Sequence, residues 1–252
     1  SSDKTARVHW SDPNDLIEEA CRRLRRNFSA SKWKTYVDAN LSNYELTCPN
    51  RPPHKSLLYE AANFIRNDEV KKARAILQRV QYLETKRVQT YPALEITPLD
   101  LNPKTKEIEQ DIELVISQIK AEVKVEEARK LASQGNYQKA ISLFQKAQQL
   151  DPDVDLNPDT KELEQDAQTI AKTLAAPAKI AGGVKLARKG EIDQAIKLFQ
   201  EAQRLDPKIK IDSKSWQALC WNGQLHNESS KVKFACDKTD VKTPLPEKNL
   251  KN

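Results

Sequence analysis

The sequence predicts an all-α protein, an α-solenoid in which helix pairs recur with an enlarged 55-residue period behind a small helical module. Two sets of identities carry this. Adding 55 to each number takes Leu131, Gly135, Ala140, Phe144, Ala147, Leu150, Asp151 and Pro152 onto Leu186, Gly190, Ala195, Phe199, Ala202, Leu205, Asp206 and Pro207. Subtracting 55 takes Leu156, Asn157, Pro158, Thr160, Lys161, Glu162, Glu164, Gln165 and Asp166 onto Leu101, Asn102, Pro103, Thr105, Lys106, Glu107, Glu109, Gln110 and Asp111. A fixed period marks stacked units that cannot bury their apolar faces alone. Composition agrees: a hydrophobic fraction of 38%, a charged fraction of 31% and only five glycines imply many small apolar stripes, and thirteen prolines mark the joints.

Residues 1–11 read as a strand-like start, with Ala6, Val8 and Trp10 alternating against Thr5, Arg7 and His9. Residues 12–53 form a small helical module. Asp12-Pro13 is a helix start, Asp in the capping place and Pro in the first turn, and Leu16, Ala20, Cys21, Leu24 and Phe28 follow at helical spacing. The basic run Arg22, Arg23, Arg25 and Arg26 lies one turn after Asp15, Glu18 and Glu19, so a solvated face outweighs a nucleic-acid surface. A second helix runs from about Ser31 to Val37, with Trp33, Tyr36 and Val37 apolar, and Tyr44 to Pro52 closes the module before Pro52-Pro53 ends it.

Residues 54–123 hold a degenerate first repeat. Ala61, Phe64, Val70, Ala73, Leu77, Val80 and Leu83 fill the places of Ala128, Leu131, Tyr137, Ala140, Phe144, Ala147 and Leu150, with Asn67-Asp68 standing for the turn glycine. The longer loop Glu84 to Pro98 separates it from residues 124–178, the second repeat. Between repeats, Ile108, Ile112, Val115, Ile116, Ile119 and Val123, and again Leu163, Ala167, Ile170, Ala171 and Leu174, keep helical spacing and predict a third helix per period. Residues 104–134 contain no helix breaker, whereas Pro177 and Gly182-Gly183 are expected to kink or interrupt the corresponding stretch. Residues 179–236 are the third repeat and a partial continuation, in which Trp216, Leu219 and Cys220 share one face, with Val232, Phe234, Ala235 and Cys236 after them. Residues 237–252 are a polar, flexible tail. Its lysines belong to an excess of 15 basic over 9 acidic residues in 179–252, where the whole +6 surplus resides.

Cys21, Cys48, Cys220 and Cys236 show no CxxC pair and no metal spacing, and are expected to be reduced, small buried hydrophobes in a cytoplasmic chain, a Cys220–Cys236 bridge being left open. No run of about 18 apolar residues is present for a membrane span, and the start lacks a secretory leader. With no methionine at all, the chain is expected to be a piece of a longer one.

In the second and third copies, Gly135, Tyr137, Ala140, Phe144, Ala147 and Pro152, and Gly183, Gly190, Ile192, Ala195, Phe199, Ala202 and Pro207, resemble the tetratricopeptide repeat in order and spacing. The glycines turn the chain, the alanines let helices approach, the phenylalanines plug the space between repeats, and Asp-Pro ends the second helix. The period departs from that family, 55 residues against its 34. The order Asp-Leu-Ile-x-x-Ala-Cys-x-x-Leu-x-Arg-Asn over 15–27, with Trp33, Tyr36 and the Tyr44–Pro52 segment, resembles the element after the propeller in cyanobacterial WD40 signalling proteins of signal-transduction ATPase and caspase-like architecture. The Asp-x-Thr-x-Arg-x-x-Trp start and the Trp-x-x-Leu-Cys-Trp segment at Trp216 resemble parts of the same proteins. None of these stretches carries a catalytic residue of that architecture.

No Gly-rich phosphate loop, HExxH, GxSxG or Cys/His dyad stands in motif form, and His9, His54 and His226 are far apart, so neither enzyme chemistry, metal nor cofactor is expected. Glu126-Glu127 and Glu162 to Asp166 are read as solvated helix exteriors. The resemblance to tetratricopeptide repeats implies a groove lined by the first helix of each pair, in which Arg129, Lys130, Lys185 and Arg188 are the candidate contacts for an acidic peptide. The function expected is a protein–protein interaction scaffold, the C-terminal module of a multidomain bacterial signalling protein, whose partner is another protein or a domain of its own parent. The alternatives are nucleic-acid binding by a basic helical surface and a structural brace for an adjacent propeller.

Overall fold

The computed structural model describes residues 12–91, 101 and 111–239, so the strand-like start, the last residues of the tail, residues 92–98 of the expected loop and Ile108 of the expected third helix lie outside the described residues, while Glu84 to Thr90, expected as loop, are helical. The described chain is helical, with α1 over Pro13–Arg23, α2 over Ala30–Tyr36, a 3-10 turn at Leu41–Asn43, α3 over Ser56–Arg66, α4 over Val70–Thr90 and α5 over Ile112–Ser133. Then follow α6 (Tyr137–Leu150), α7 (Ala167–Arg188), α8 (Ile192–Leu205), α9 (Ser213–Leu225) and α10 (Ser229–Cys236). Two compact units divide the chain, residues 1–120 and 121–252. This is the all-α repeat architecture that the periodicity implies.

The repeating device is the turn. At Asp68, Gly135, Gly190 and Asn227 the backbone takes a positive φ of 61°, 88°, 83° and 60°. Each ends the first helix of a pair in the same way. The next amide donates back across six residues, Glu69 to Phe64, Asn136 to Leu131, Glu191 to Leu186 and Glu228 to Gly223, at 2.8, 2.9, 3.0 and 2.7 Å. This is the Schellman ending, in which a left-handed residue lets the chain satisfy the orphan carbonyls of the last turn. Asp68 does replace the turn glycine. Asn227 shows that the continuation expected after residue 213 is a complete fourth helix pair, α9 and α10.

Within residues 1–120, one cluster gathers Trp33, Leu41, Tyr44, Leu57, Ala61, Leu77, Val80, Leu83, Leu101 and Val115, so the small module and the helix pair α3–α4 share a core. The module's closing segment is pinned by its polar groups. Buried Asn27 donates through Nδ2 to the carbonyls of Arg51 and Pro52, both at 2.9 Å, and accepts from the Cys48 amide at 2.6 Å. Tyr44, fully buried, donates its hydroxyl to the Phe28 carbonyl at 2.7 Å. Two expectations for α1 and α2 change. Leu16, Leu24, Tyr36 and Val37 are exposed, because α1 stops at Arg23 and, among the described residues of the two helices, only Cys21, Ala30 and Trp33 are buried.

Within residues 121–252, Ala128, Ala140, Phe144, Ala147, Leu156 and Ile170 form one cluster, and Ala187, Ala195, Phe199, Trp216, Leu219 and Val232 another. The alanines and phenylalanines paired by the period occupy matching places, each buried. α7 is a single uninterrupted helix of 22 residues with Pro177 inside it, so the predicted break does not occur. Proline removes one intrahelical donor, and burial of Ala175, Ala176 and Ile180 around it holds the helix together. Leu163 lies in the loop after α6 and is exposed, and the carboxylates from Glu162 to Asp166 precede α7 instead of lying along a helix. Asp166 is the N-cap, accepting from the Gln168 and Thr169 amides.

The cysteines are paired, Cys21 with Cys48 and Cys220 with Cys236. The expectation of reduced thiols is therefore corrected; Cys21, Cys48 and Cys220 are buried as expected, whereas Cys236 is only partly buried. No sequence spacing reveals the first pair, whose partners are 27 residues apart and meet where Asn27 and Tyr44 tie the closing segment to residues 27–28, just after α1.

Candidate functional site

The four cations read as a peptide-binding row lie on α5 and α7, the long helices whose last halves are the first members of helix pairs. Lys130 and Lys185 are equivalent across the period and both are exposed. Arg188 is exposed in the last turn of α7, where its charge also suits the helix dipole. Arg129 differs. Its guanidinium is half-buried and ion-paired to Asp159 in the loop after α6, so it fastens that loop rather than standing ready for a ligand. Sequence could not reveal this, since Asp159 lies 30 residues away and is not among the positions repeated at the 55-residue offset, Lys104 standing at its counterpart.

The rest of the repeat surface is laced by ordinary pairs. Lys179 reaches Glu201 between α7 and α8 at 3.1 Å, and Lys231 of α10 reaches Asp193 of α8 at 3.0 Å. Such exposed pairs contribute little to stability individually. In the basic run of α1, Arg22 and Arg23 both bond Glu19, at 2.7 and 2.6 Å through their Nε atoms. These contacts hold Glu19 below the usual carboxylate range, Arg23 being the larger cause. Two of the four arginines are thus engaged within their own helix.

A concavity lies wholly inside the first unit. It encloses about 600 Å³ between the end of α2, the 3-10 turn, α3 and the start of α4. Its residues range from Lys34 to Ile76, and no single window of sequence contains them.

Turns, small residues at the helix crossings and buried phenylalanines define a class, the helix-pair repeat. The family model described as tetratricopeptide repeat matches residues 121–154, which begin inside α5, include all of α6 and end just after it. That match takes in Gly135, Tyr137, Ala140, Phe144, Ala147 and Pro152, the second copy's share of the resemblance, and does not extend to the third copy. No curated protein and no solved structure matches the chain. No described helix is long and apolar enough to cross a membrane.

Proposed function

We propose that this chain is a non-catalytic protein–protein interaction scaffold whose repeat helices present a cationic row to an acidic peptide. The observation that supports it is the match at residues 121–154 together with Lys130 and Lys185, exposed at equivalent places one period apart. Arg188 extends the row on α7, and Arg129 acts behind it by holding the loop at Asp159. Stacked helix pairs offer a surface that extended peptides can follow, with charge setting which peptide.

The same reading places the chain as the C-terminal module of a multidomain bacterial signalling protein of WD40-associated type, supported by the residues of 15–27 and 44–52 that resemble such proteins. The cytoplasmic setting expected from sequence assumed four thiols. With both pairs bonded and no free cysteine, an oxidising compartment is the better reading.

The test is affinity capture from lysate with the wild-type chain and with a Lys130→Glu, Lys185→Glu, Arg188→Glu variant. Proteins retained by the first and lost by the second support the scaffold and its row. Equal capture by both would remove the row from the proposal, and capture of nucleic acid alone, lost steeply with added salt, would replace a protein partner by that class.

A further inference from the structure

We infer that the cleft of the first unit is a separate docking site for an acidic peptide segment, one that seats an apolar side chain in the cleft and carboxylates on its lysine rim. The inference does not rest on the repeat row, which belongs to the other unit. Its floor is apolar and firm: Leu41 and Ile76 are buried members of the core, at 4% and 3% exposure, and Phe64 packs partly buried beside them.

One wall is the 38–43 segment, and its own hydrogen bonds brace it. The Asn40 amide donates to Asp38 at 2.8 Å, Asn43 donates to the same carboxylate at 2.7 Å, and the Ser42 amide and hydroxyl donate to Asn40 Oδ1 at 3.1 and 2.8 Å. The Asp38 carboxylate is consumed in this bracing, which holds it below the ordinary range, Asn43 being the first cause. The wall is therefore preformed.

The rim carries Lys34, Lys71 and Lys72, and among the described residues no Asp or Glu lines the cleft. Lys34 bonds Glu60 at 2.8 Å, and Lys72 pairs with Glu69 while standing 5.4 Å from the Phe64 ring centre. Lys71 is exposed and has no ion pair among the described residues. Lys71 is the ammonium that complements a peptide carboxylate, while Lys34 and Lys72, held by Glu60 and Glu69, shape the rim on either side of it. The volume falls in the range of ligand pockets, about 300–1,000 Å³, but such pockets usually enclose most of a small ligand. This cleft is partly open to solvent, which favours a segment that lies across it with one side chain inserted. A nucleic-acid strand would find three cations but no exposed aromatic stack at the rim.

The experiment uses the full chain with disulfides intact and a fluorescein-labelled hexapeptide, Glu-Asp-Leu-Phe-Glu-Asp, followed by anisotropy at low salt. A control peptide has Gln and Asn in place of the acids. We expect saturable binding of the acidic peptide only, weakened about tenfold by Lys71→Glu, which is about 1.4 kcal/mol. Ala75→Trp, which fills the cleft, should abolish it, and Lys130→Glu with Lys185→Glu should leave it unchanged. Thermal melts confirm that each variant folds. Absence of saturable binding, equal binding of the control peptide, or binding indifferent to both cleft variants overturns the inference. If the acidic peptide is lost only on Lys130→Glu with Lys185→Glu, the repeat row is the peptide site and the cleft is not. If laurate binds in the cleft while the peptide does not, the occupant is a small amphipathic anion and the peptide is excluded.

Discussion

Cys220 and Cys236 are joined across α9 and α10 at the positions where, one helix pair earlier, Gly183 lies beneath the ring of Phe199. Each first member stands seven residues before its turn residue and each second member nine after it, the turn residues being Asn227 and Gly190. Ala128 and Phe144 flank Gly135 in the same way, and Ala61 and Leu77 flank Asp68. Three pairs close by filling this space with a small residue against a large one. The last pair closes it with a covalent bond, which compensates for a second helix of only eight residues.

From this follows the first prediction. A loop closed by a bridge between residues 16 apart is restricted enough in the unfolded chain that removing the bond costs about 3 kcal/mol. The Cys220→Ser, Cys236→Ser variant should therefore lose hydrogen-exchange protection across α9 and α10, the pair that the bond joins. The amides of α3 and α4 should keep theirs. Uniform loss of protection throughout the chain, or none in α10, would contradict it.

The second prediction contrasts two adjacent glycines of α7. A Cβ at Gly183 would lie 2.6 Å from Phe199 Cδ2 and 3.2 Å from the Ala195 carbonyl oxygen. One at Gly182 would meet only the Leu198 Cδ1 methyl, at 3.1 Å. Alanine favours a helix over glycine by about 1 kcal/mol, and overpacking a core costs about 1–3. Gly183→Ala should thus destabilise the protein, because the packed Phe199 ring and, less closely, the Ala195 carbonyl stand in the way, while Gly182→Ala should be neutral or slightly stabilising, because a leucine side chain can rotate aside. Urea unfolding of the two variants decides. The double variant Gly183→Ala, Phe199→Leu should cost less than the sum of its parts, since the shortened side chain relieves the clash.

These contacts also show what could be read beforehand. The helix pairs, their turns and the plugs Phe144 and Phe199 were legible because each is a local pattern repeated at one offset, and Asp68 was recognised because aspartate tolerates a turn. The uninterrupted α7 was not legible, since Pro177 signals a break and only its buried neighbours prevent one. Neither was the Cys21–Cys48 bond, which forms where Asn27 and Tyr44 tie the closing segment to residues 27–28. Of the candidate row, the exposure of Lys130, Lys185 and Arg188 accords with a polar helix face, but the capture of Arg129 by Asp159 is a tertiary event without sequence spacing. The cleft at Lys71 escaped for the same reason, being assembled from four separate elements.

Tyr44 supplies the third prediction. Burial pushes its hydroxyl up to about 12, against an ordinary value near 10, because the interior disfavours phenolate. Above pH 10 the unfolded chain loses this proton first, so the native state binds more protons and stability falls as pH rises from 10 toward 12. Below pH 10 the contribution is fully present. Tyr44→Phe should flatten that alkaline limb while lowering stability at neutral pH by about 1–3 kcal/mol, since the Phe28 carbonyl loses its donor. Denaturation midpoints at pH 7, 9, 10 and 11 test both halves, and an unchanged alkaline limb in the variant would assign the fall to other groups.

The N-caps of α7 and α9 yield a prediction at the other end of the pH scale. Asp166 accepts from the Thr169 hydroxyl at 2.6 Å and from the Thr169 and Gln168 amides at 3.1 and 3.0 Å. Asp212 accepts from the Ser215 hydroxyl at 2.7 Å and its amide at 2.9 Å. The side-chain hydroxyl is in each case the largest cause holding the carboxyl below its ordinary range, followed by the amide of the same residue. A carboxyl depressed on folding stabilises the native state above its unfolded value near 4, and that contribution is lost as pH falls through the lower folded value. Both groups are largely solvated, so screening limits the effect. Replacement by alanine is the sharper probe, costing about 1 kcal/mol per cap. The Asp166→Ala, Asp212→Ala chain should melt earlier than wild type at pH 7, with the gap between them narrowing below pH 4 as the wild-type caps are protonated. A gap independent of pH would mean that the two aspartates act through packing and not through their charge.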